Sequence, residues 1–148
     1  MPTLCAFVIQ LQVGPVCHMY VAHGGSAVAI AVTTSELGSA QTLIFDEVDS
    51  GVGGAVAETV GRLMKQLGKD RQVMAVTHLP QVAACADHHW VVSKHSDAQG
   101  TSSQVTALGV DERVNEIARM LGGEKLSATT LAHAREMLSH TASPKAHV

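Results

Sequence analysis

The chain has 148 residues, a formal net charge of −3 and three cysteines. This charge leaves no basic footprint for nucleic acid, so DNA binding by the chain alone is not supported. An odd number of cysteines without a CxxC motif is not typical of a disulfide framework or a zinc knuckle, and indicates a cytoplasmic protein with reduced thiols. No stretch is long and apolar enough to span a membrane.

The N-terminal quarter has the weakest pattern. Residues 1–25 stay unassigned, although Ala6 to Val13 could form a strand before the Gly14-Pro15 stop. The run SAVAIAVTTSEL at residues 26–37 favours a helix ended by Gly38, while its β-branched residues also permit a strand.

Strands and helices then alternate. The short apolar run Thr42 to Phe45 predicts a central strand buried on both faces. Apolar residues at helical spacing predict a helix from Ala55 to Leu67, and Val73 to Val76 predicts a second buried strand.

The second half of the chain contains weaker but consistent patterns. The predicted elements are a short helix from Pro80, strands Trp90 to Ser93 and Gln104 to Leu108 that could pair as a hairpin, a helix capped by Asp111 and running to Leu121, and a helix capped by Ser127 and running to about Leu138. The alternation predicts a parallel α/β sheet within one lobe, residues 26–140, followed by a frayed tail, residues 141–148.

Polar residues follow the two buried strands where each one ends. Asp46 and Glu47 close the first strand, and Thr77 and His78 close the second. Ligands of such sheets bind beyond the carboxyl ends of the strands, so these residues should meet at one crevice. A carboxylate there suits Mg²⁺, an adjacent glutamate can activate water, and a histidine can contact a terminal phosphate. Together they predict the back wall of a nucleotide triphosphatase site.

The motifs LIFDEVDSGVGG and QVMAVTHLPQVAACADHHWVVSK carry a resemblance to a known family. They are similar to the C-terminal half of the ATPase head of the RecN family, bacterial DNA repair proteins of the ABC-type, SMC-like class. The similarity continues through RVNEIARMLGG and LAHAREML and covers roughly residues 27–138. It implies a P-loop NTPase head of ABC/SMC type, of which this chain would be the C-terminal lobe only.

The resemblance implies a role for each matching residue. Asp46 ends the Walker B strand and would hold Mg²⁺ through water, and Glu47 is the catalytic glutamate beside it. His78 corresponds to the switch histidine that reads the γ-phosphate, and Gln81 lies in the same loop. The D-loop, which would reach a second head when ATP closes two heads, corresponds to Asp49, Ser50 and Gly51.

Two motifs of a complete head do not occur in the chain. It has no GxxxxGK[ST] phosphate loop, and AHGGSAVAIAV stands where the family has an SGGELSR-type signature. Residues 1–22 do not resemble the family. We therefore expect a C-terminal piece with an N-terminus of other origin, which binds ATP and Mg²⁺ only with the N-terminal head lobe. The coiled coil, the second head and DNA would be partners in the full protein only, which would be cytoplasmic and associated with the nucleoid.

Two alternatives remain open from the residues. The chain could be a non-enzymatic remnant that needs a partner lobe to cover its sheet edge and apolar surface. A metal-dependent hydrolase is the other alternative, although the spacing fits no standard ligand pattern. Its candidate ligands are His78, Asp87, His88, His89 and His95.

Overall fold

The computed structural model describes residues 6–11, 19–23, 42–46, 52–69, 71–98, 100–123 and 126–142. These residues form six strands and four helices in an α/β arrangement. The strands are β1 (Ala6–Leu11), β2 (Met19–His23), β3 (Thr42–Asp46), β4 (Gln72–Val76), β5 (Trp90–Asp97) and β6 (Gly100–Ala107). The helices are α1 (Gly54–Leu67), α2 (Pro80–Ala84), α3 (Val110–Gly122) and α4 (Ala128–Ala142).

The strands form one sheet in the order β2-β3-β4-β1-β5-β6. Strands β2, β3 and β4 are parallel, whereas β1 runs antiparallel to both β4 and β5, and β6 returns antiparallel to β5. The prediction of a parallel sheet is therefore right for β2 to β4 and wrong for the sheet as a whole, which is mixed. The reason is that β1, from the unassigned N-terminal segment, enters between β4 and β5.

Strands β3 and β4 present one fully buried face to the core. Leu43 and Phe45 alternate with half-buried Ile44 along β3, and Val73 and Ala75 are the buried residues of β4. This two-residue period is what a strand produces when its faces have different surroundings. The predicted central position of β3 between parallel strands is confirmed, whereas the prediction of burial on both faces is wrong at Ile44, which is only half-buried.

Helix α1 covers this face with an apolar stripe. Its buried positions are Ala57, Val60, Gly61 and Met64, the spacing of one helical face. Gly61 allows α2 to approach closely, because a Cβ atom there would lie 2.8 Å from Cys85 Sγ and 3.2 Å from Val82 Cα. The core also includes buried residues of the other helices: Val82, Ala83, Ala84, Val114, Ile117, Ala118 and Ala134.

The last two helices begin with different caps. Gly109, not Asp111, is the N-cap of α3, and its backbone N–H donates to Glu112 Oε2 at 2.8 Å. Asp111 lies inside the first turn, where its negative charge interacts favourably with the positive end of the helix dipole. Ser127 caps α4 as predicted, since its Oγ accepts from Thr130 N at 3.1 Å.

Other boundaries extend beyond the predictions. The hairpin pairs Trp90 with Ala107 and Asp97 with Gly100, so both strands reach into the segment expected to be loop. Helix α4 continues to Ala142, two residues into the expected tail. The helix expected at residues 26–37 lies outside the described residues. None of the helices in the described part of the chain has the length and apolarity needed to cross a membrane.

Candidate functional site

Two of the predicted site residues, Asp46 and His78, lie at one edge of the sheet. Asp46 is the last residue of β3, and Thr77 and His78 directly follow β4. The two strands are parallel neighbours in register from Thr42↔Gln72 to Phe45↔Ala75. Their carboxyl ends therefore open at the same edge, which is where α/β sheets bind ligands. The backbone of β2 ends there as well, with His23 opposite Asp46.

The turn after β4 presents His78 to solvent. Thr77 is only 3% exposed, and its Oγ1 accepts a hydrogen bond from Leu79 N at 3.1 Å. This local bond closes the turn on itself, in the way that threonine side chains often organise loops. His78 stands between these two residues and is exposed, so a ligand at the sheet edge could reach it.

Helix α2 begins directly after this turn. Leu79 is its N-cap and Pro80 occupies the first helical position, where a fixed φ suits a helix start. Gln81 is half-buried in the first turn and borders a groove of about 280 Å³ between α1, α2 and α4. The groove is otherwise lined by Glu58, Ala84, His133, Glu136, Met137, His140 and Thr141.

The C-terminal end of α2 is held by Arg113 from α3. Its guanidinium donates to the carbonyls of Ala83 at 3.3 Å and Ala84 at 3.2 Å, to that of Ala86, and to that of Asp87 at 3.4 Å. Burial lowers the pKa of Arg113 from its ordinary value. The acceptors of Arg113 are thus backbone carbonyls and not carboxylate side chains.

Two buried titratable groups, His89 and Cys85, lie within the electrostatic influence of Arg113. Burial, with the nearby Arg113 charge, lowers the pKa of His89 to about 4, so its imidazole is neutral at physiological pH. Burial, with the Glu58 charge, raises the pKa of the Cys85 thiol to about 11. Cys85 is 2% exposed, so it packs as a core residue.

The remaining predicted residues are Glu47 and the D-loop residues Asp49, Ser50 and Gly51, and they lie outside the described residues. Within the described part of the chain, no three His, Cys, Asp or Glu side chains come together to hold a metal ion. The histidines of the metal alternative separate: His88 is exposed beside the Trp90 ring, whereas His89 is 2% exposed.

The helical periodicity of the sequence indicates that Arg113 borders the core. Four residues further along α3 lies Ile117, which is fully buried, and Val114 follows Arg113 directly. Residues four apart share a helix face, so Arg113 borders the core and its long stem can reach inward. Gly61 carried a similar signal, because a glycine within a regular helical pattern often marks a close packing contact.

Comparison with known proteins gives one consistent group of relatives. The chain is 44% identical over 122 residues to the DNA repair protein RecN of Vibrio cholerae, covering 80% of this chain and 22% of that protein. It is 45% identical over 130 residues to RecN of Deinococcus radiodurans, with 86% and 22% covered. For RecN of Mycobacterium leprae the identity is 49% over 112 residues, with 76% and 18% covered. The chain thus spans about a fifth of the length of these curated relatives. No family model matches it.

Proposed function

Because about four fifths of the chain belongs to the RecN family, we propose that it is the Walker B, D-loop and switch portion of a RecN-type ATPase head acting in DNA repair. In this proposal it is the C-terminal lobe of an ABC/SMC-type P-loop NTPase. Its partners are the N-terminal head lobe, the coiled coil and a second head. The observation that carries the proposal is the position of Asp46 and His78 at the carboxyl ends of two adjacent parallel strands.

The donor set at this edge fits Mg²⁺ bound together with a nucleotide. A single carboxylate at a strand end, Asp46, is typical of magnesium held through water and phosphate oxygens. The bound ion would neutralise charge on the phosphates. Glu47, next in the chain, would orient the attacking water and accept its proton. His78 is exposed, and would donate a hydrogen bond to the terminal phosphate.

The sequence also limits what this chain does by itself. It contains no GxxxxGK[ST] motif, so no lysine and backbone cradle is present for the β- and γ-phosphates. We therefore expect no tight binding of Mg-ATP and no steady hydrolysis by the 148 residues alone. A net charge of −3 agrees with DNA contact through other parts of the full protein.

The test is ATP turnover by the chain combined with the head lobe that carries the phosphate loop. Glu47→Gln should lower turnover by about 100-fold or more, the range of a general-base loss. Asp111→Asn is the matched control, because it removes the charge of an exposed carboxylate in the first turn of α3, and turnover should not change. Full turnover by Glu47→Gln would refute the proposal. Tight Mg-ATP binding by the unaccompanied chain in calorimetry would refute its dependence on a partner lobe.

A further inference from the structure

We propose that Arg113 is a positioning residue for the switch segment, defined as residues 77–81: it anchors α2 and thereby holds His78 in place. The link from His78 to hydrolysis rests on the proposed function, whereas the anchoring rests on the contacts of Arg113. No sequence motif of the site includes Arg113, since it lies on a different helix, 35 positions after His78.

The guanidinium of Arg113 adds hydrogen bonds to carbonyls at the C-terminal end of α2, where Ala83 O also accepts from Ala86 N at 3.3 Å. The last carbonyls of any helix have no partner inside it. In α2, Arg113 Nη2 takes the carbonyls of Ala83 and Ala84, and reaches Ala86 in the following turn. Thr141 Oγ1 on α4 also donates to the Ala84 carbonyl, at 2.7 Å. The end of α2 is therefore held from α3 and α4 together.

Arginine suits this task for reasons of shape and charge. Its planar fork offers several N–H donors in a fixed geometry, and its positive charge favours the negative end of a helix. Ala83, Ala84 and Ala86 are 0%, 2% and 4% exposed, so water competes weakly for their carbonyls. A lysine at this position would keep the charge but act as a compact point donor without the fork.

Because α2 is short, the position of the switch segment depends on the contacts of Arg113 with α2. The helix has five residues, Pro80–Ala84, too few to be stable without tertiary contacts. Its start is joined to the switch segment by the bond from Leu79 N to Thr77 Oγ1 and by that from Ala83 N to Leu79 O, at 3.1 and 3.0 Å. Loosening the C-terminal end therefore frees the N-terminal end, and with it the backbone of His78.

Amide hydrogen exchange on the 148-residue chain tests the anchor without any nucleotide. Arg113→Met keeps the apolar stem and removes the donors, and should raise exchange across residues 79–86 by about tenfold or more. Exchange in α1 should not change. In Arg113→Lys, the exchange rate at residues 79–86 should lie between those of the parent and of Arg113→Met. The matched control is Arg119→Met on the same helix, because Arg119 pairs with Glu116 at 2.6 Å, and it should leave residues 79–86 unchanged.

Two exchange results would overturn the inference. Unchanged exchange at residues 79–86 in Arg113→Met would show that the contacts do not hold α2. An equal rise in α1 and in residues 79–86 would show that Arg113 supports the whole fold and does not position the switch segment.

Turnover of the chain combined with the phosphate-loop lobe then separates the two proposals. Arg113→Met should lower kcat about tenfold while KM for ATP stays constant, since the anchor affects His78 and not the phosphate loop. Unchanged kcat in Arg113→Met, with turnover still abolished by Glu47→Gln, would overturn the positioning role and leave the proposed function intact. Turnover that survives Glu47→Gln would refute the proposed function, and exchange would still decide whether Arg113 anchors α2.

Discussion

Acidification should destabilise this protein through His89. The imidazole is 2% exposed, and burial with the Arg113 charge lowers its pKa from 6.5 to about 4. Because the folded-state pKa lies below the unfolded one, the unfolded chain takes up a proton first as the pH falls. The stability associated with neutral His89 is therefore complete above about pH 6.5, falls between 6.5 and about 4, and changes no further below that.

The size of this effect follows from the pKa interval. Each unit of pKa difference corresponds to about 1.4 kcal/mol, so the interval from 6.5 to about 4 corresponds to ~3 kcal/mol. Against a typical domain stability of about 5–15 kcal/mol this is a large fraction.

This loss of stability can be measured by urea unfolding between pH 7.5 and pH 4, with the free energy of unfolding as the readout. His89→Gln cannot titrate, so its stability should fall by ~3 kcal/mol less than that of the parent over this range. His88→Gln is the control, because His88 is exposed and its loss should leave the pH dependence as it is. If His89→Gln and the parent lost stability in parallel, a neutral buried His89 would be the wrong interpretation.

The remaining predictions concern packing, reactivity and capping. Gly61→Ala should destabilise the fold by about 1–3 kcal/mol in urea unfolding despite the better helix propensity of alanine, because the new Cβ meets Cys85 Sγ at 2.8 Å. Cys85→Ala in the same chain should recover part of that loss, and strict additivity of the two changes would contradict the contact. Alkylation mapped by mass spectrometry should be slow at Cys85 at pH 8, where a pKa of about 11 leaves on the order of one thiol in a thousand ionised; labelling as fast as that of a small free thiol would contradict its burial. Ser127→Ala should cost about 1 kcal/mol by loss of the bond to Thr130 N, whereas Ser139→Ala, inside α4, should cost less.

The parts of the fold that the sequence predicted are those where a local pattern and the tertiary environment agree. Helix α1 and the strands β3 and β4 have apolar residues at the period that their burial requires, so their positions were predicted within a few residues. Ser127 was identified as a cap because a serine before an apolar run has a specific hydrogen bond to make. In each case the information lies within a few neighbouring residues.

The errors come from interactions between distant parts of the chain. Nothing local in Ala6–Leu11 shows that β1 enters the sheet between β4 and β5, since strand order is set by pairing over long sequence separations. Asp111 has the chemistry of a cap, but the bond from Gly109 N to Glu112 placed the helix start two residues earlier. The helical spacing to Ile117 places Arg113 beside the core, but its acceptors are backbone carbonyls, which no sequence pattern displays.

In the candidate site, too, local sequence pattern predicted one part, and contacts between distant residues determine the other. The carboxyl ends of β3 and β4 could be placed together from the strand pattern alone, because parallel neighbours end at a common edge. The anchoring of α2 needed the structure, since Arg113 follows Ala83 by 30 positions and Thr141 follows Ala84 by 57.

Strand β6 has a consequence for how the protein behaves in solution. It is the last strand of the described sheet, all eight of its residues are exposed, and its sequence GTSSQVTA contains no charge and no proline. Charges and prolines are the usual means by which an outer strand avoids pairing with another chain. Backbone hydrogen bonds between two such strands are not screened by ions, so added salt would not keep concentrated copies apart. A single lysine introduced on this strand should therefore oppose such pairing directly.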